Sequence, residues 1–247
     1  FGSADIRIAT KNSWIGMAGP AMIEGGGLGK FDPKEIGPSD IQKNNGVIDY
    51  VAEDEKEATI IAKKILSYFQ GDIKDWKADD QTQLSNIMPK DRRWSYPVRD
   101  IIKIISDIEQ FTEIRPDYGK GIVSCFIRIE GKPFGLLAND SQHLGGAIDS
   151  EGADKASSFI EMCSEYGLPI ISLVDTPGFM VGPDSEKEGA VRRMSNLFKI
   201  GSKVKVPLTA IFLRKGYGLG AQAMVGGSLH EPVYLSLIHI SEPTRPL

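Results

Sequence analysis

The chemistry this sequence can do rests on small residues at turns rather than on an evident acid, base or nucleophile. The segment Gly216 to Ala221, Gly-Tyr-Gly-Leu-Gly-Ala, follows an apolar run and opens a run of small residues. At a strand-to-helix turn, Gly218, Leu219 and Gly220, with Ala221 behind them, can point successive backbone amides outward at a helix N-terminus. That makes a site for a developing oxyanion. One such donor in a dry site contributes about 3 to 4 kcal/mol to a transition state. Glycines in this pattern also serve plain tight turns and close packing. A second small-residue loop, Leu144 to Ser150, precedes another predicted helix. Its Gly145 and Gly146, followed by Ala147, can supply further amides or turn chemistry alone.

Three familiar patterns come close and fall short. Gly25 to Phe31, GGGLGKF, resembles a phosphate loop, but a spacer residue is missing and Phe31 stands where a magnesium-holding Ser or Thr belongs. Asp175-Thr176-Pro177-Gly178 resembles a phosphate-sensing turn of GTPases, which means little without a true phosphate loop. GYGLGA fits the dinucleotide pattern, yet the next predicted strand, PVYLSL, ends in no acid to hold a ribose. His143, His230 and His239 follow no nucleophile pattern, so no Ser-His-Asp triad is drawn. Cys125 and Cys163 sit in apolar runs without metal-ligand spacing, as buried thiols of a reducing compartment do.

Predicted elements place these loops. Residues 4–9 alternate as a strand does and lead into the glycine-rich stretch Glu24 to Lys30. From Glu53 to Phe69, Ala58, Ile61, Ile65 and Phe69 recur at helical spacing, and Gly71 stops the helix. VRDIIKIISDI reads as a helix, and GIVSCFIRIE with PFGLLAN as a hairpin about Gly131 and Lys132. Ala156, Phe159, Ile160 and Cys163 form a helical stripe. Next come the strand PIISLVD, a helix with Ala190, Val191, Met194, Leu197 and Phe198 on one face, the strand PLTAIFL, a helix from AQAMVGG and the strand PVYLSL. Alternating strands and helices with short loops imply parallel pairing, and such folds keep ligands beyond the strands' carboxyl ends. Function therefore belongs at Asp175 to Pro183 and Arg214 to Ala221.

The 247 residues, 41% hydrophobic with a net charge of -4, suit one large or two modest globular domains. Charges of both signs are spread along the chain, which argues against a nucleic-acid protein. No apolar stretch reaches the roughly 20 residues that span a bilayer, and no charged-then-apolar leader opens the chain. Phe1 stands where an initiator Met would, so the chain reads as starting inside a longer frame. The organisation expected is 1–70 as the end of one domain, 71–97 as a polar connection, 98–236 as most of a second domain, and 237–247 as a non-native tail.

Read together, LANDSQHLGGAIDSEGADKASSFIEMC, LPIISLVDTPGFMVGPDSEKEGAVRR and VPLTAIFLRKGYGLGAQAM resemble, in order and spacing, the C-terminal domain of biotin-dependent acyl-CoA carboxyltransferases. The front segment IGMAGPAMIEGGGLGKFDPKEIGPSDIQ, with NGVIDYVAEDEKEA, resembles the closing part of that family's N-terminal domain. The resemblance covers the chain to about residue 236. It implies an α/β, crotonase (ClpP)-like fold: the tail of one such domain followed by most of a second. It implies transfer of a carboxyl group between carboxybiotin and the α-carbon of an acyl-CoA, with oxyanion holes in place of an acid-base pair.

By the same resemblance the C-terminal oxyanion loop falls on Gly218 to Ala221. Gly145, Gly146 and Ala147 form the neighbouring loop, and Pro177, Gly178 and Phe179 lie near the biotin path. Leu219 between the glycines departs from familiar members, and the N-terminal domain's own oxyanion glycines fall before Phe1. The resemblance further implies a homo-oligomer with a dimer-based site, and a cytoplasmic or, in a eukaryote, mitochondrial matrix setting. No Ala-Met-Lys-Met biotinylation sequence or ATP motif occurs. Biotin is thus expected on a separate carrier subunit, ATP at a partner biotin carboxylase, and no metal on this chain. Other crotonase-fold chemistry, a hydratase or thioesterase using Asp149 or Glu151, stays open, as does a silent CoA-binding subunit.

Overall fold

The computed structural model describes residues 1–91, 93–227 and 232–237. The chain forms two compact units: Phe1–Ser67 with Arg115–Tyr118, and Tyr68–Ile114 with the rest. Residues 71–97, expected as a connection, fall within the second unit. The suspect tail beyond Leu237, with His239, and also His230 lie outside the described residues.

In the first unit, strand β1 (Ile8–Thr10) pairs in parallel with β2 (Tyr50–Ala52). The ladder is shorter than the alternation over 4–9 predicts, because the Arg7 amide donates to the Asp49 carboxylate at 2.7 Å instead of to a neighbouring strand. That carboxylate is fully buried and pairs with the guanidinium groups of Arg7 and Arg115. Helices α1 (Pro20–Gly25), α2 (Ser39–Gln42) and α3 (Glu55–Tyr68) complete the unit. Sequence periodicity anticipates α3 but not α1, which has no buried residue to mark a face and starts from the helix-compatible backbone of Pro20.

The second unit is built on a six-stranded sheet. Its strands, in spatial and chain order, are β3 (Phe111–Ile114), β4 (Ile122–Ile129), β5 (Lys132–Asn139), β6 (Ile170–Thr176), β7 (Leu208–Gly216) and β8 (Tyr234–Leu237). The first three pair antiparallel, and β5 to β8 run parallel, as the alternation implies. The hairpin turns at Glu130 and Gly131, one residue earlier than expected; both have positive φ, and Ile129 pairs with Lys132.

Helix α4 (Leu84–Ile87) is short, and α5 (Val98–Ile105) lays Val98, Ile101 and Ile102 on one sheet face against Val123, Cys125, Ile127, Leu136 and Leu173. On the other face, α6 (Ser150–Glu165) sets Phe159 against Phe126, with ring centroids 5.4 Å apart. Helix α7 (Pro183–Lys187) leads into α8 (Ala190–Gly201), which packs along α6, and α9 (Gly218–Met224) lies over β6 and β7. In α8, Ala190, Met194 and Leu197 are buried, but Val191 is 68% exposed, one step of about 100° off the buried line. Both cysteines are free and buried, and burial pushes each thiol's pKa up.

Candidate functional site

Because β5, β6 and β7 are parallel, the loops leaving their carboxyl ends emerge on one side of the sheet. With the first turn of α9, which follows the last of them, they carry the ten site residues the sequence singles out. The first loop is anchored by Asp140, whose carboxylate pairs with Arg99 and accepts the Gln142 amide at 2.9 Å. It then makes three consecutive left-handed residues, Leu144, Gly145 and Gly146. A side chain on Gly146 would lie 2.3 Å from the Asp175 carbonyl oxygen, so the loop touches the end of β6 only because that residue is glycine.

The second loop leaves β6 at Thr176, whose hydroxyl oxygen takes the Gly178 amide at 3.0 Å and lies 3.1 Å from the Gly178 carbonyl. It is stitched to the first loop: the Ile148 amide donates to Gly178 at 3.0 Å, and the Met180 amide to Ile148 at 2.8 Å. Phe179 turns inward, its ring 6.1 Å from that of Phe198 on α8.

The third loop joins β7 to α9. The Tyr217 amide donates to the Thr176 carbonyl at 3.1 Å, and Gly218 takes φ 60. Gly220 is buried so closely that an added side chain would stand 2.7 Å from the Gly178 carbonyl carbon. The Lys215 ammonium donates to the Gly145 carbonyl and closes the ring of loops. Partial burial, with Arg214 beside it, holds that ammonium below its usual pKa despite the opposing pull of Asp175.

The hydrogen bonds sort the candidate amides. Those of Gly146 and Ala147 are spent inside their own turn, on His143 and Leu144. The Gly178 amide is taken by Thr176, Pro177 has none, and the Ala221 amide bonds to Tyr217. Gly218, Leu219 and Gly220 form the first turn of α9, where amides have no intrahelical acceptor. Leu219 is 63% exposed, and a side chain on Gly218 would meet nothing within 4 Å, so the approach to this turn is open. The sequence points to this turn, and the structure separates its free amides from the occupied ones.

Asp149 and Glu151, the carboxylates a hydratase would need, serve the backbone. Asp149 caps α6 through the Gly152 amide at 2.7 Å, and Glu151 lies 3.4 Å from the Gly119 amide. His143 stands 3.7 Å from Asp149. Among the described residues no group of three or more His, Cys, Asp or Glu could hold a metal, and no helix is long and apolar enough to cross a membrane. Sequence reading reached Arg214 only as the start of a ligand loop and missed Asn139 and Tyr96, which with it surround Asp175. The signal available was an aspartate closing the apolar strand PIISLVD, opposite the Arg-Lys pair closing the next one.

Comparison with known proteins agrees with this geometry. The carboxyl transferase domain pattern matches residues 2–239. The methylmalonyl-CoA carboxyltransferase 12S subunit of Propionibacterium freudenreichii subsp. shermanii is 31% identical over 91% of this chain and 45% of its own length. A solved single-chain, multi-domain long-chain acyl-CoA carboxylase superposes with a TM-score of 0.91 at 48% identity, over 99% of this chain and 26% of that one. The transcarboxylase 12S structure with methylmalonyl-CoA and methylmalonic acid bound gives 0.83 at 30% identity, over 94% of this chain and 47% of that one. The chain spans about half the length of the curated relatives it matches. It belongs to the carboxyl transferase domain family and has the crotonase-like α/β fold of that family's domains.

Proposed function

We propose that this chain is the carboxyltransferase part of a biotin-dependent acyl-CoA carboxylase, with residues 1–70 closing one domain and 98–236 forming most of the other. The observation that carries the reading is the first turn of α9, whose amides are unspent, while those of Gly146, Ala147 and Gly178 in the flanking loops are taken. The donor set fits an oxyanion such as a thioester enolate or a ureido oxygen: neutral amides, an open approach at Gly218, and rigid support from Gly178 beneath Gly220. Biotin, as a substrate carried on a separate subunit, supplies the carboxyl group.

The chain's own residues bind and orient. Gly218, Leu219 and Gly220 donate to the oxygen on which charge develops. Lys215 adds positive potential beside Gly145, favouring a carboxylate between the loops. Pro177 and Phe179 cover the second loop, and Gly145 to Ala147 form the opposite wall. This assignment needs neither a metal nor ATP on the chain. It calls for a homo-oligomer, a biotin carboxylase and a carrier as partners.

The test is carboxyl transfer from malonyl-CoA and methylmalonyl-CoA to free biotin, catalysed by the whole protein. Transfer from either supports the reading and ranks the two. No transfer from these or from longer carboxylated acyl-CoAs, with CoA binding demonstrated by calorimetry, rejects it.

A further inference from the structure

We infer that Asp175 is a positioning residue that sets all three loops of the candidate site at once, an inference that rests on the function proposed above. The pairing of β6 with β7 runs residue for residue from Ile170 with Leu208 to Val174 with Phe212, and then Thr176 pairs with Gly216. Asp175 alone therefore faces Leu213, Arg214 and Lys215. A bulge of this kind re-aims the chain beyond it, and the segment beyond this one is the turn at Gly218 to Gly220.

The Asp175 side chain fills the bulge. One carboxylate oxygen accepts the Lys215 amide at 3.0 Å, and the other lies 3.1 Å from the Arg214 guanidinium. The same residue reaches the other two loops through its backbone. Its amide donates to the Asn139 side chain at the end of β5 at 3.1 Å, and its carbonyl oxygen is the atom that Gly146 abuts. Its carbonyl side continues directly into Thr176, which starts the second loop and takes the Tyr217 amide.

The energetics favour geometry over stability as the reason for this charge. The Asp175 side chain is fully buried and that of Arg214 is 7% exposed. Removing two charges from water costs about as much as their attraction returns, so well-packed apolar residues would hold two strands together as firmly. The surroundings are not arranged for stability either. The Tyr96 hydroxyl faces the carboxylate without reaching hydrogen-bond geometry, and the Asn139 amide nitrogen is buried with no partner. What an apolar pair could not do is hold a strand amide and a guanidinium from a single side chain, on a residue whose backbone also meets the other two loops.

Asp175→Asn in the whole protein tests this, because it keeps the size and one acceptor oxygen and removes the charge facing Arg214. Hydrogen exchange followed by mass spectrometry is expected to speed up about tenfold or more in peptides covering 143–148 and 216–221 together, and to stay unchanged in β4. In carboxyl transfer to biotin, kcat is expected to fall about 10²-fold with KM for the CoA substrate within about threefold. Asp175→Asn combined with Arg214→Gln, which removes both charges, is expected to recover the thermal midpoint while kcat stays low. Native exchange in both loops of the single variant, or kcat recovering together with the midpoint, overturns the inference. If the unaltered protein transfers no carboxyl group at all, it is the proposed function that fails, and the exchange experiment still decides the role of Asp175.

Discussion

Two glycine-rich stretches look alike in the sequence and differ in what the fold asks of them. Between Gly25 and Gly29 the chain runs exposed, and side chains added at Gly25 or Gly27 would meet nothing within 4 Å. In the loops of the second unit, a side chain at Gly146 or Gly220 would run into backbone at 2.3 Å or 2.7 Å. The first stretch resembles a phosphate loop and holds nothing in place. The second forces three loops into contact, and their remaining amides face an open approach. Glycine count therefore says little about a site; what matters is whether the missing side chain lets two backbones meet.

The largest expected effect comes from deleting a donor without moving a glycine. Leu219→Pro removes one amide at a first-turn position that tolerates proline, and Leu219→Ala keeps it. Carboxyl transfer is expected to fall about 10² to 10³-fold in the proline variant and to change less than about threefold in the alanine variant. Equal rates in the two would deny the Leu219 amide a part in the chemistry.

Next is Gly146→Ala, which combines a backbone at φ 90 with contact at 2.3 Å. Strain and overpacking each cost about 1 to 3 kcal/mol. At about 2 to 4 °C per kcal/mol for a domain of this size, the thermal midpoint should drop by roughly 10 °C. Gly220→Ala, with contact at 2.7 Å and no positive φ, should drop it by less. A Gly146 variant that melts like the parent would remove the contrast between the two stretches.

These positions also show how much was legible. The helix from Glu55, the β4–β5 hairpin and the parallel strands could be read because apolar residues recur at local periods of two or 3.6. The turn at Gly218 to Ala221 and the loop at Gly145 could be read because small residues cluster there. Strand β7 could not be followed past Leu213 to Gly216, because what extends it is the Asp175 carboxylate holding Arg214 and Lys215, an attachment across about 40 residues of chain. Spent and unspent amides could not be told apart for the same reason. Whether Gly178 or Gly146 is occupied depends on Thr176 and His143, on torsions that leave no trace in composition.

Lys215 gives an effect of intermediate size and a sign to check. Its folded pKa lies below the ordinary 10.5, with burial the main cause. Over the window between that lowered value and 10.5, the unfolded chain binds more protons than the folded one, so stability should rise with pH. An ammonium needed for transfer is being lost over the same window, so kcat should fall there. Rates and thermal midpoints over that window below pH 10.5 should thus move in opposite directions, and Lys215→Arg should shift the alkaline fall in kcat upward. A fall in kcat that tracks a fall in midpoint would mean unfolding rather than loss of the Lys215 charge.

The smallest effect has the opposite sign and tests the open stretch directly. Gly25 is the last residue of α1, its φ is not in the left-handed region, and an added methyl group would meet nothing. Gly25→Ala then acts on the unfolded chain, which loses freedom, while the folded state gains no strain. The expected gain is about 0.4 to 1 kcal/mol. Because α1 buries no residue, the gain should appear as slower hydrogen exchange at Gly26 and Gly27, whose amides bond back to Met22 and Glu24, with carboxyl transfer within about twofold of the parent. Faster exchange there, or a loss of transfer, would mean that this stretch is pressed against something after all, and that the two glycine regions do related work.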